Sequence, residues 1–349
     1  MSAPGLRVLI VDDDPAYRHI LSRIFEQMPQ VESVAVAANL TIARTKLEQA
    51  EIDLVTIDVI LRDESGLDLL PWIHARSPDL FTILLTSGTH REASQAVDAL
   101  LLGASTLIIK PTGDHAPVQL TNALKSAVSA VKRRAGKSEK VREERPGAPR
   151  SEAAVRELIA VGASTGGPPV VLQFLIDLPA SFNVPIVLTQ HMPSLHVPYF
   201  VELLARQSGR RVSIGVHGQR VERGCVYVAG DARHLLVDRS GESLILIQDE
   251  GPEEHNCRPA VDPMFRSVAK ACGGASVGVV MTGMGADGAL GAVALRARGA
   301  PVVAQDQQTS VVWGMPGAVA AAGAASAVVP AAELAKYVVR WTAQTGGQS

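Results

Sequence analysis

The stretch LRVLIVDDDPAYRHILSRIFEQM (6–28) opens with a short apolar run, breaks at three acids, then continues with apolar residues at helical spacing. It reads as a strand running into a helix. The same alternation recurs four times. VESVAVA (31–37), DLVTID (53–58), FTILLTS (81–87) and STLIIK (105–110) read as strands, and TIARTKLEQA (41–50) as one of the helices between them. Five β–α units in a row predict a doubly wound parallel sheet over residues 1–130, because parallel strands need helical crossovers.

Residues 131–152, VKRRAGKSEKVREERPGAPRSE, are charged, lack aromatics and carry Pro and Gly near their end, so they read as a linker, helical at its start. From 153 to 349 the α/β pattern resumes. ELIAVGAS, VPIVLTQH, CVYVAG, SLILIQ, SVGVVMTG, PVVAQD and SAVVP are the expected strands. The CVYVAG–SLILIQ pair, with DRSGES between its parts, is expected to form an inserted antiparallel hairpin. The length of 349 residues suits two domains. Hydrophobic residues make up 47% and aromatics only 4%, so the cores are aliphatic, as buried parallel sheets require. A net charge of -2 gives no general attraction to nucleic acid or anionic membrane. Three scattered cysteines without CxxC spacing argue against a disulfide framework or zinc site. With no signal-peptide pattern and no apolar run of ~20 residues, the expected location is cytoplasmic, without membrane insertion.

Two groups of residues carry chemistry. In the first half, the strands end in Asp12-Asp13-Asp14, Asp58, Thr86-Ser87 and Lys110-Pro111. In a doubly wound sheet these ends share one edge, where ligands bind. Carboxylates there suit Mg²⁺, one carboxylate can attack a phosphoryl group, and a lysine and a hydroxyl can stabilise its oxygens. On these residues, 6–125 resembles a response-regulator receiver domain. The resemblance implies Asp58 as phospho-acceptor, Asp12, Asp13 and Asp58 around Mg²⁺, and Thr86 and Lys110 as the phosphate switch. It also implies a cis peptide at Lys110-Pro111 and a histidine kinase as phosphodonor. VILRDESG (59–66) lacks the usual Met-Pro, and Leu107 stands where many receivers carry a switching Phe or Tyr.

In the second half, Gly162-Ala163-Ser164-Thr165-Gly166 fits G-x-S-x-G between a strand and a helix, a turn that exposes a serine above a helix N-terminus. The competing reading, a phosphate-cradling turn in a nucleotide-binding domain, lacks both G-x-x-x-x-G-K-[ST] and G-x-G-x-x-G. A serine nucleophile needs a base, and the base an orienting acid. His191 follows the strand after Ser164; His196, His217, His234 and His255 compete with it. Asp287, in MTGMGADGA, follows a strand on the same edge; Asp262 and Asp306 are rival acids. The amides near Thr165 and Met284 are candidate oxyanion donors.

GASTGGP, QHMP, CRPAVDPMFRSVA, MTGMGADGA, AQD and GMP (314–316) together resemble the catalytic domain of the chemotaxis protein-glutamate methylesterases across 155–343. The implied fold is a flavodoxin-like receiver followed by a Rossmann-like serine hydrolase with a β-hairpin insertion, both α/β with parallel sheets. Ser164, His191 and Asp287 are the implied nucleophile, base and orienter, with no cofactor at the esterase site. The implied substrate is a glutamate γ-methyl ester on methyl-accepting chemoreceptors, with deamidation of some glutamines. AGDARH (229–234) departs from the family's A-P-G-G-x-H at this loop. The charged linker permits reorientation, so the unphosphorylated receiver is expected to cover the Ser164 edge. The alternative function is a catalytically weak, receiver-linked adaptor in a related chemosensory pathway.

Overall fold

A computed structural model describes residues 5–113, 116–135 and 156–343. The described residues form two compact units, one on each side of 136–155. In the first unit, β1 (Leu6–Val11), β2 (Val31–Ala37), β3 (Leu54–Asp58), β4 (Phe81–Thr86) and β5 (Thr106–Ile109) pair in the order β2-β1-β3-β4-β5. Every pairing is parallel. The crossovers are helical: α1 (Pro15–Glu26), α2 (Leu40–Gln49), α3 (Leu70–Arg76), α4 (His90–Leu101) and α5 (Ala116–Ala135). Local chemistry sets several of their starts. Asp14 caps α1 by accepting from Ala16 N, ahead of Pro15, whose ring suits a first helical turn. Asn39 and Thr89 cap α2 and α4 in the same way. β3 and β4 are buried along their whole length, as central parallel strands must be. The strand order reverses between β1 and β3, so Asp12 and Asp58 flank the crevice where such sheets bind ligands. The start of the stretch read as a linker belongs to α5 through Ala135; the rest lies outside the described residues.

The second unit begins with β6 (Leu158–Ala163), α6 (Gly167–Asp177), β7 (Ile186–Gln190), α7 (Val197–Ser208), β8 (Arg211–Ile214) and β9 (Cys225–Val228). The hairpin β10 (His234–Ser240) and β11 (Ser243–Asp249) follows. Then come α8 (Val261–Cys272), β12 (Ser276–Val280), α9 (Ala289–Ala297), β13 (Val302–Gln305), α10 (Met315–Ala321), β14 (Ala327–Val329) and α11 (Leu334–Ala343). Seven strands form one parallel sheet in the order β14-β13-β12-β6-β7-β9-β8. Its order reverses between β6 and β12. Among the described residues no helix is long and apolar enough to cross a membrane.

The hairpin differs from expectation. CVYV is not its first arm but β9, fully buried between β7 and β8 in the parallel sheet. The arms are HLLVDRS and SLILIQD, paired from His234↔Asp249 to Ser240↔Ser243. An unbroken apolar run suits a parallel core strand, whereas β10 ends in exposed polar residues next to its turn. β8, RVSI, was not expected; only two of its four residues are apolar, and it lies at the sheet edge, partly exposed.

Candidate active site and phosphorylation site

In the first unit, Lys110 spans the acid cluster. Its Nζ donates to Asp12 Oδ2 at 2.9 Å and to Asp58 Oδ2 at 2.6 Å. Its ammonium also stacks over the Tyr17 ring at 4.2 Å. Asp12 and Thr86 are fully buried, and Asp58 is 9% exposed. Burial pushes the Asp58 carboxyl up to about 6, against the pull of Lys110 and with a further push from Asp12. One carboxylate oxygen from each of Asp12, Asp13 and Asp58 lies within 4.8 Å of the others. Such a set of hard oxygen donors would suit Mg²⁺. Lys110–Pro111 is trans, contrary to the sequence expectation; the cis X-Pro bond among the described residues is Arg258–Pro259. Thr86 Oγ1 donates to Glu92 Oε2 at 2.7 Å. Glu92 escaped the sequence reading, although Thr89-x-x-Glu92 has the spacing of a capping box.

In the second unit, the ends of β6, β7 and β12 converge. Ala163 pairs with Gln190 as the last register of β6 and β7, so Ser164 and His191 leave neighbouring strands side by side. Backbone bonds hold them there: His191 N donates to Ala163 O at 2.9 Å, and Ser164 N to Thr282 O at 3.0 Å. Gln190 Nε2, also missed in the sequence, donates to Ser164 O at 2.9 Å. Gly166 takes φ +73 at the entry to α6, and a Cβ there would meet Val311 Cβ at 2.5 Å, so the turn after the serine requires glycine. Thr165 closes this turn, its carbonyl accepting from Thr282 Oγ1 at 2.9 Å. Met284 sits half-buried in the loop after β12.

His191 Nε2 meets Asp287 Oδ2 at 2.8 Å. Asp287 is 1% exposed and accepts three further bonds, from Val261 N at 2.6 Å, Asp262 N at 2.8 Å and Gly288 N at 2.8 Å. Against the cost of burial, His191 and the Val261 and Asp262 amides hold its carboxyl below the usual range. Burial works against protonation of His191, but Asp287 and then Cys257 outweigh it and raise the imidazole to about 9. Cys257 Sγ lies 3.8 Å from His191 Nδ1, a neighbour that sequence reasoning missed.

The rival residues are occupied elsewhere. His234 bonds Pro252 O and the Ala260 amide, His217 accepts from Gln248 N, and His196 is fully buried. His255 pairs with Asp262 at 2.8 Å, and Asp306 binds Thr309. In the departing loop, Asp231 and Arg233 form an ion pair beside Glu250 and Arg258 in a shallow pocket.

Residues 159–338 match the family described as CheB methylesterase, and residues 8–125 the family described as response regulator receiver domain. A protein-glutamate methylesterase/protein-glutamine glutaminase of Trichodesmium erythraeum is 36% identical over 97% of this chain and 99% of its own length. The chain belongs to the CheB methylesterase family. A Rhodospirillum rubrum member, protein-glutamate methylesterase/protein-glutamine glutaminase 1, is 35% identical over 96% of this chain and 95% of its own. The crystal structure of the Thermotoga maritima CheB methylesterase catalytic domain aligns with a TM-score of 0.52 at 32% identity, covering 54% of this chain and 99% of that one. With its receiver and methylesterase units, the chain has the fold class expected from its sequence.

Proposed function

We propose that this CheB-family chain hydrolyses glutamate γ-methyl esters, and deamidates some glutamines, on the cytoplasmic helices of methyl-accepting chemoreceptors. Phosphorylation of Asp58 by a chemotaxis histidine kinase controls the rate, which serves adaptation in the cytoplasm. The observation that carries the reading is the His191–Asp287 contact of 2.8 Å on the strand ends beside Ser164.

With Asp287 ionised, His191 Nε2 donates to it, so in the neutral imidazole Nδ1 carries no proton. Nδ1 is therefore the atom that takes the Ser164 proton as Oγ attacks the ester carbonyl. The amides near Thr165 and Met284 receive the developing oxyanion. The C–O bond to the methoxy group breaks, His191 returns the proton, and methanol leaves. Water, deprotonated by the same nitrogen, then attacks the acyl carbon, the bond to Ser164 Oγ breaks, and His191 returns the proton to Oγ as the glutamate side chain leaves. With a glutamine substrate the leaving group is ammonia.

In the receiver unit, Asp58 Oδ attacks the phosphorus of the donor, forming an acyl phosphate as the donor's bond to phosphorus breaks. Lys110 and Thr86 stabilise the phosphoryl oxygens. Asp12, Asp13 and Asp58 would hold Mg²⁺, which when bound supplies positive charge to those oxygens.

The test is methanol release from methyl-esterified receptor fragments by the native chain and by Ser164→Ala, each with and without a small phosphodonor. Release that requires Ser164 and rises with phosphodonor supports the whole reading. Absence of release across a panel of receptors would favour an adaptor.

A further inference from the structure

We propose that Glu92 is a positioning residue for the phosphorylation of Asp58, holding the donors of Thr86 and Ser87 until a phosphoryl group takes them. The inference rests on Asp58 as acceptor and adds a residue that competes with the phosphoryl group.

Thr86 stands beside the acceptor. Asp58 pairs with Leu85 across β3 and β4, and Thr86 is the next residue toward the strand end. Its hydroxyl has a single proton to give. That proton goes to Glu92 Oε2 at 2.7 Å, while Gly88 N donates to the hydroxyl oxygen at 3.1 Å. Ser87 is held by the same carboxylate, through its amide to Oε2 at 2.6 Å and through its hydroxyl to Oε1. Thr89 Oγ1 adds a bond to Oε1 at 3.1 Å. Glu92 is only 5% exposed, so these bonds, rather than water, stabilise its negative charge.

A capping box accounts for the Thr89–Glu92 pair: Glu92 N donates to Thr89 Oγ1 at 3.3 Å, and the carboxylate turns back toward the cap. It does not account for the three bonds that run past the cap to Thr86 and Ser87 at the end of β4. Those bonds tie the start of α4 to the Thr86 hydroxyl at the strand end beside the acceptor. A phosphoryl oxygen bonded to Thr86 would sit at most about 5–6 Å from the Glu92 carboxylate, two hydrogen-bond lengths away, with like charge. Phosphoryl and carboxylate therefore compete for one proton and repel each other. Phosphorylation releases Glu92 from Thr86 and loosens the start of α4, and Glu92 in turn sets how tightly a phosphoryl group is retained.

Titration calorimetry of the full chain with beryllofluoride and Mg²⁺ tests this, comparing the native chain with Glu92→Gln, Glu92→Ala and Asp58→Asn. Thermal melting of each variant checks folding, and Glu92→Gln keeps the side-chain shape if the alanine variant unfolds. Loss of one competing charge-assisted bond should tighten binding by roughly 5- to 20-fold. The gain should shrink when Thr86→Ala is added, because the contested hydroxyl is gone. Native binding that depends on Asp58, with unchanged or weaker binding by both Glu92 variants, would leave Glu92 as a helix cap and overturn the proposal alone. Absence of native binding, or binding indifferent to Asp58→Asn, would overturn the acceptor reading together with it.

Discussion

Replacing Asp287 by Asn separates the catalytic use of this side chain from its structural use. Asp287 accepts four hydrogen bonds, two on each oxygen: Oδ1 from the Asp262 and Gly288 amides, Oδ2 from the Val261 amide and His191. An Asn keeps one oxygen and presents an NH₂ in place of the other. If the amide oxygen takes the Oδ2 place, two buried backbone N–H groups lose their acceptor. If it takes the Oδ1 place, only the Val261 N–H is orphaned, and His191 can adapt by accepting at Nε2. The second arrangement wins, because each buried unsatisfied donor costs about 1–3 kcal/mol. It destabilises this unit by about that amount, or roughly 2–10 °C in melting temperature for a domain of this size. It also moves the His191 proton to Nδ1, the atom proposed above to accept from Ser164. The comparable change in another Ser-His-Asp hydrolase lowers kcat ~10⁴-fold through the same tautomer switch. Methanol release by Asp287→Asn, assayed well below its melting temperature, should fall by a similar factor. A variant that melts early yet hydrolyses within about tenfold of the native rate would refute the assigned tautomer and the role of Asp287.

Three further outcomes are expected. With neutral His191 as the proposed base, and Asp287 and Cys257 raising its imidazole to about 9, kcat/KM should climb with pH up to that region. The folded pKa lies above the ordinary value, so the stabilisation from this pair is complete below ~6.5 and is lost as pH rises through about 9. Cys257→Ala removes one contact that raises the imidazole, so the midpoint should move to lower pH; a profile flat between pH 7 and 9 would contradict the assignment. In the receiver unit without Mg²⁺, buried Asp58 should take a proton as pH drops through about 6, visible by carboxyl infrared absorption. Ionising that raised carboxyl lowers the unit's stability between ~4 and about 6, so melting should shift down over this window, and Asp58→Asn should abolish both trends. Finally, a methyl group at Gly162 would lie 2.5 Å from Val261 Cγ1, pressing on the residue whose amide holds Asp287. Gly162→Ala should therefore cost about 1–3 kcal/mol by denaturant unfolding and lower kcat as well; an unchanged kcat would uncouple Val261 from the triad.

The apolar runs and their helical intervals were enough to expect two parallel α/β units, because period and run length are local properties. Strand partners are not local. CVYV and SLILIQ look alike as apolar runs, yet one is a core strand of the seven-stranded sheet and the other a hairpin arm. RVSI carries too little apolar pattern to announce an edge strand.

The chemistry divides in the same way. The residue types at the strand ends, with G-x-S-x-G and the acid cluster, pointed to both kinds of site, since each reaction demands those side chains. By residue pattern alone five histidines and three acids stayed open, and it was the family resemblance that singled out His191 and Asp287. Only tertiary structure brings His191 and Asp287, 96 positions apart, to 2.8 Å, and gives the other histidines different partners or burial. It also decides which imidazole nitrogen faces the acid, Nε2, and which faces Cys257, Nδ1. Glu92 shows the limit most clearly. Its capping-box spacing is written in the sequence, but its grip on Thr86 depends on how α4 seats against the end of β4. Hydrogen bonds of that kind are fixed by packing between elements, and a linear pattern carries no distance between them.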